Sequence, residues 1–80
     1  MTDDQIRIVN KLIQLNKDGF IIETHWAFTG YDCKIVILQN DHDDYVTVGN
    51  ENSRYKTYKS RWDAYQAGIE WVNKNRKQYI

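Results

Sequence analysis

The sequence predicts an α+β protein: a small two-layer sandwich of order α-β-β-β-(β)-α, with an antiparallel sheet carrying both helices on one face. Apolar residues recur at helical spacing over 6–15 and again over 62–72. Between these stretches, from Phe20 onward, the apolar period drops to two, as a strand with one wet face requires. Eighty residues, 41% of them hydrophobic and none of them proline, make one domain over 1–80, because two would each be too small to bury a core. Eleven aromatic residues against three alanines make the apolar set bulky, so a short chain can still remove a large area from water.

The first helix opens at Thr2-Asp3-Asp4-Gln5, which has the spacing of a capping box with acids at the positive end of the dipole. Ile6, Val9, Leu12 and Ile13, with Ile8 and Leu15 further round, cover about half its circumference, wider than the usual stripe. Such a helix should touch two elements. Gly19 supplies the stop.

Phe20, Ile22, Trp26 and Phe28 point to the core in the first strand, and Thr29-Gly30 reads as its two-residue hairpin turn. That turn sets Phe28 opposite Tyr31, Trp26 opposite Cys33 and Ile22 opposite Ile37. Tyr31, Cys33, Ile35 and Ile37 then share the core face. A third strand over 45–49 follows the polar tip at 40–44 and places Val46 and Val48 opposite Ile37 and Ile35. Residues 49–53 read as a loop and 55–58 as a short fourth strand. Ser60, three residues before Asp63, caps a last helix reaching Lys77, with Trp62, Tyr65, Ile69 and Val72 as its core stripe.

Three features bear on function. Net charge is zero, yet residues 1–53 carry a net of −5 and residues 54–80 a net of +5. Within the basic part, Arg54, Lys56, Lys59 and Arg61 alternate with Tyr58 and other aromatic or hydroxyl side chains, a composition able to contact phosphates and stack on bases. Lys74, Arg76 and Lys77 extend this set of nucleic-acid candidates. The other reading of the segment is an edge strand blunted by lysines. The element order resembles the double-stranded-RNA-binding domain, whose likeness implies phosphate contacts from Lys56, Lys59 and Arg61. Thr29-Gly30-Tyr31 stands where that family has a histidine-bearing loop, and Ser60-Arg61-Trp62-Asp63-Ala64-Tyr65 where it has a lysine-rich helix start.

The second feature is the face of the sheet opposite both helices. There the alternation gathers Ile21, Val36, Leu38 and Tyr45 inside a rim of Glu23, His25, Lys34 and Thr47, the composition of a partner or self-association surface. Alternatively, Tyr79-Ile80 or the loop at 50–54 folds over it. The third is Trp71, about 130° from the core stripe of its helix and beside Ala64, Ala67 and Gly68. It either receives the first helix or anchors an interface.

Catalysis and cofactors are not expected. Asp41-His42-Asp43-Asp44 lacks the glycine and bidentate glutamate of a calcium loop, and no second histidine stands near for zinc. Cys33 is expected in the core and His25 on the wet face, so they form no nucleophilic pair. Residues 1–20 have neither a basic start nor an apolar signal core, and no apolar run spans a membrane. The expectation is a complete, cytoplasmic, non-enzymatic chain that binds a protein partner, with a homodimer and a nucleic-acid contact as the alternatives. The bias toward Asn, Ile, Lys and Tyr is that of accessory proteins from phages or mobile elements with AT-rich genomes.

Overall fold

A computed structural model of the protein describes residues 1–49 and 56–79. Its elements run α1 (Asp3–Lys17), β1 (Phe20–Glu23), β2 (Lys34–Leu38), β3 (Asp43–Thr47) and α2 (Arg61–Asn75), with a closing 3₁₀ turn over Arg76–Gln78. The expected class and element order hold. Arg54 and Tyr55, with the loop residues 50–53 and Ile80, lie outside the described residues.

The capping box of α1 is complete: Thr2 Oγ1 accepts the Gln5 N–H at 3.2 Å, and Gln5 Oε1 accepts the Thr2 N–H at 3.0 Å. The apolar arc divides differently from the expectation. Ile8 and Leu15 are buried and Leu12 packs on the core, whereas Ile6 and Ile13 are 44% and 50% exposed. One flank of α1 therefore serves both the sheet and α2, and the second apolar stripe faces outward. Ser60 Oγ caps α2 by accepting the Asp63 N–H at 3.2 Å. In α2, Ile69 and Val72 are buried while Trp62 and Tyr65 are half-buried.

The sheet has the order β1-β2-β3, antiparallel throughout. Phe20 pairs with Ile37 and Ile22 with Ile35, while Val46 pairs with Ile35. Both registers thus differ from the expected ones by two residues, a shift that leaves every side chain on its expected face. The cause is the turns. Ala27 donates its N–H to the Gly30 carbonyl at 2.7 Å, so the two residues of the first hairpin turn are Phe28 and Thr29, not Thr29 and Gly30. Phe28 takes the left-handed φ of 57° that the sequence reading gave to glycine. Gly30, at a φ of 158°, also meets a steric need: a Cβ there would lie 2.5 Å from the Tyr58 carbonyl oxygen and 3.0 Å from Thr57 Cβ. The second hairpin closes between Gln39 and His42, so β3 begins two residues earlier than expected.

After Val48, which donates to the Cys33 carbonyl at 2.9 Å, the chain leaves the sheet. Tyr58 then takes the vacated place beside the start of the second strand, exchanging two 2.8 Å backbone hydrogen bonds with Tyr31. Of the expected fourth strand over 55–58, the described residues 56–58 contribute this one bridge. Phe20, Ile22, Cys33, Ile35 and Ile37 form the helix-side face of the core, met by Ile8 and Leu15 of α1 and Ala64, Ile69 and Val72 of α2. Gly68 lets α2 close on the sheet: a Cβ there would stand 2.7 Å from Ile22 Cγ2 and 2.9 Å from Cys33 Sγ.

Trp26 and Phe28 overturn the expected core. Trp26 bridges Tyr31, not Cys33, and is 63% exposed; Phe28 is 96% exposed. Trp26 keeps the helix-side face, but no helix covers it, because α2 starts at Arg61 with its guanidinium over the Tyr31 ring.

Candidate functional site

On the outward face, Ile21, Val36 and Tyr45 stand side by side in direct register across the three strands. The next row along is Leu38 between Gly19, whose carbonyl accepts the Leu38 N–H at 2.8 Å, and Asp43. The row on the other side is Glu23, Lys34 and Thr47. Tyr45 is 74% and Leu38 46% exposed, while Ile21 and Val36 are half-buried. The four residues named from the sequence are therefore brought together, with the expected polar rim. Tyr79 does not fold over them; its ring lies 6.4 Å from those of Phe20 and Trp71, on the helix side.

Trp71 has a different neighbour from the one expected. The crevice between α1 and α2 is lined by Lys11, Gln14, Leu15, Ile69, Asn73 and Arg76, and Trp71 lies about 200° round the helix from Ile69. It flanks an open groove with Val48, Gly49, Lys56, Tyr58 and Lys74. It is half-buried and packed on the core, its ring 6.4 Å from that of Tyr79.

A residue the sequence reading passed over organises the outward face beyond Lys34. Asp32 is 3% exposed, and its Oδ1 accepts the His25 N–H at 2.8 Å while its own N–H donates to the His25 carbonyl at 2.9 Å. The carboxylate takes the place of a backbone acceptor in the ladder, so the β1–β2 pairing runs past Glu23 without a regular strand. His25 Nδ1 lies 3.6 Å and Lys34 Nζ 3.9 Å from the same carboxylate. Its signal in the sequence was an aspartate inside a β-prone run, where the type is depleted.

Cys33 is fully buried behind Asp32. Burial pushes its thiol from 9.0 up to about 12, the Asp32 charge adds to the rise, and the Gly68 backbone partly offsets it. Such a thiol stays protonated and poorly nucleophilic near neutrality. At the β2–β3 tip, His42 meets Asp41 at 2.7 Å and Asp44 at 3.5 Å, all on the surface. Among the described residues no three His, Cys, Asp or Glu side chains are placed to hold a metal ion.

The basic set splits. Lys56, Tyr58, Lys59 and Arg61 lie at the end of the sheet where the first hairpin turns, with Lys56 Nζ 5.3 Å from the Tyr58 ring centroid and the Arg61 guanidinium 5.6 Å from that of Tyr31. Lys74 reaches the groove that Lys56 also lines. Arg76 and Lys77 lie at the far end of α2, where Arg76 is paired with Asp18 at 2.8 Å and lies over Phe20. What the sequence reading did not foresee is that Trp26, Phe28 and Tyr31 join the first group.

No protein-family model matches the chain, and comparison with curated proteins and with solved structures returns no match either. No helix among the described residues is long and apolar enough to cross a membrane.

Proposed function

We propose that this is a non-enzymatic binding protein working through protein–protein contact, with Ile21, Val36, Leu38 and Tyr45 as its contact surface. The observation that carries the reading is the in-register row of Ile21, Val36 and Tyr45 on a sheet face that neither helix covers. Burying such a row is favourable at about 25 cal/mol per Å² of apolar surface, and its polar rim gives a partner the means to fix orientation. The exposed Ile6 and Ile13 of α1 add a second uncovered stripe, which a purely self-contained fold does not need. A cytoplasmic accessory protein of a phage or mobile element fits the composition and the small size.

The test is the double variant Val36→Lys/Leu38→Lys, which puts charge on the outward face and leaves the core volume intact. Sedimentation of purified protein reads self-association, and affinity capture from the source cell, with and without nuclease, reads other partners. A cooperative melt like the parent's, with the dimer or a nuclease-insensitive partner lost, is the expected result. A folded variant that keeps every partner and the parent's oligomeric state removes the reading, and a variant that unfolds shows that these side chains are core.

A further inference from the structure

At the end of the sheet where the first hairpin turns, the fold sets Trp26, Tyr31 and Tyr58 in one row across three adjacent backbone segments, on the helix side. The Trp26 and Tyr31 rings meet edge to face with centroids 5.3 Å apart. Phe28 extends the row onto the turn itself, almost fully exposed and held at a positive φ that a bulky residue rarely takes. A large apolar side chain, exposed on backbone that disfavours it, does nothing for the stability of the domain.

Three cations share this end: Lys56 over Tyr58, Arg61 over Tyr31, and the exposed Lys59 between them in sequence. Among the described residues none of the three has a carboxylate within ion-pair distance, as is also true of Lys11, Lys17, Lys74 and Lys77. At the opposite end of β2 lie Asp41 of the second hairpin turn and Asp43 and Asp44 of β3, with the Asp18–Arg76 pair nearby. The exposed aromatic rings thus share their end of the sheet with three cations.

We propose that this end binds single-stranded nucleic acid, stacking bases on Trp26 and Phe28 and placing phosphates against Lys56, Lys59 and Arg61. Rings interleaved with cations match a ligand that alternates planar bases with phosphates. The cation–ring contacts already hold two of the cations in place, which lowers the ordering cost at binding. A single strand is specified because stacking on exposed rings needs unpaired bases. The proposal uses the helix-side face at one end of the sheet and does not depend on the outward face.

Fluorescence anisotropy of a labelled oligothymidine of about 16 nucleotides, the upper end of site sizes for a single OB-fold domain, tests it. Three phosphate contacts on a single strand give a salt exponent of about −2, so affinity should fall roughly 20-fold between 50 and 200 mM salt. Trp26→Ala and Phe28→Ala should each weaken binding by about tenfold, since stacking is the term they remove. Lys56→Glu/Lys59→Glu should abolish it, and Val36→Lys/Leu38→Lys should leave it unchanged. Phe28 makes no core contact, so its variant remains informative if Trp26→Ala melts early. No binding at about 10⁻⁴ M protein and 50 mM salt overturns the proposal. So does binding that both aromatic variants leave intact, which is mere polyanion attraction, or a duplex of equal length bound as tightly as the single strand.

Discussion

Along the helix-side face of β1 and its extension the chain places Phe20, Ile22 and Trp26, with Phe28 on the turn beyond; the first two are 1% and 8% exposed, the last two 63% and 96%. One alternation produced both ends. At the Phe20 end, Arg76 and Tyr79 close over the ring, and Gly68 brings α2 onto Ile22. At the Trp26 end α2 has only begun, and its first residue reaches no further than Tyr31. Alternation decides which side of a strand a residue takes, while the lengths and crossing of the helices decide whether anything covers it.

The sharpest way to break this comparison is to truncate the two ends in turn. Phe20→Ala should cost about 3–5 kcal/mol, the range for a large aromatic removed from a packed core, and a domain of this size has little more than that to lose. Trp26→Ala should cost about 1 kcal/mol, mainly the edge-to-face contact with Tyr31. Urea titration reads both; equal losses would mean that the Trp26 end is packed in solution.

Gly68→Ala probes how closely α2 sits on the covered end. The added Cβ would meet Ile22 Cγ2 at 2.7 Å and Cys33 Sγ at 2.9 Å, and neither can retreat inside the core. Overpacking of this kind costs about 1–3 kcal/mol, more than the roughly 1 kcal/mol that alanine contributes over glycine in a helix. A more stable variant would mean that the helix rides higher on the sheet.

Cys33 gives a pH test of the same burial. Its thiol ionises near 9.0 when exposed and at about 12 in the fold, so the unfolded chain loses this proton first. The group therefore leaves stability unchanged below about pH 9 and lowers it as pH rises further, by up to about 1.4 kcal/mol per unit. Unfolding free energies of the parent and Cys33→Ala, compared between about pH 8 and 10.5, should converge with rising pH. Parallel curves would show that the thiol is not held neutral by the core.

These contrasts also explain what could be read from the residues. Face assignment survived a two-residue error in both registers because parity is set by the hydrophobic pattern, whereas register is set by turn geometry. The turn was misplaced by one residue because Gly30 was taken as a turn residue; it sits just after the turn, at a φ of 158° and against Tyr58, 28 residues away. The outward row of Ile21, Val36 and Tyr45 needed parity alone and was legible. The aromatic end was half legible: the alternation of cations and rings over 54–62 pointed to it, but Trp26 and Phe28 looked like core. Asp32 escaped because a carboxylate that replaces a backbone acceptor leaves no periodic trace.

The smallest effect concerns Phe28, where the two ends differ in backbone as well as in cover. With a φ of 57° and 96% exposure, its side chain contributes almost nothing to packing and sits on a conformation that disfavours it. Left-handed backbone costs a residue with a Cβ about 1–2 kcal/mol, and glycine avoids most of that but loses more entropy on folding. Phe28→Gly should therefore stabilise the fold by about 0.5–1 kcal/mol, an unusual outcome for removing a phenyl ring. Chemical denaturation of parent and variant measures the difference directly. If the variant is instead destabilised by more than about 1 kcal/mol, the ring is packed against the domain in solution. The open end would then be covered, and the comparison between the two ends of the sheet would lose its basis.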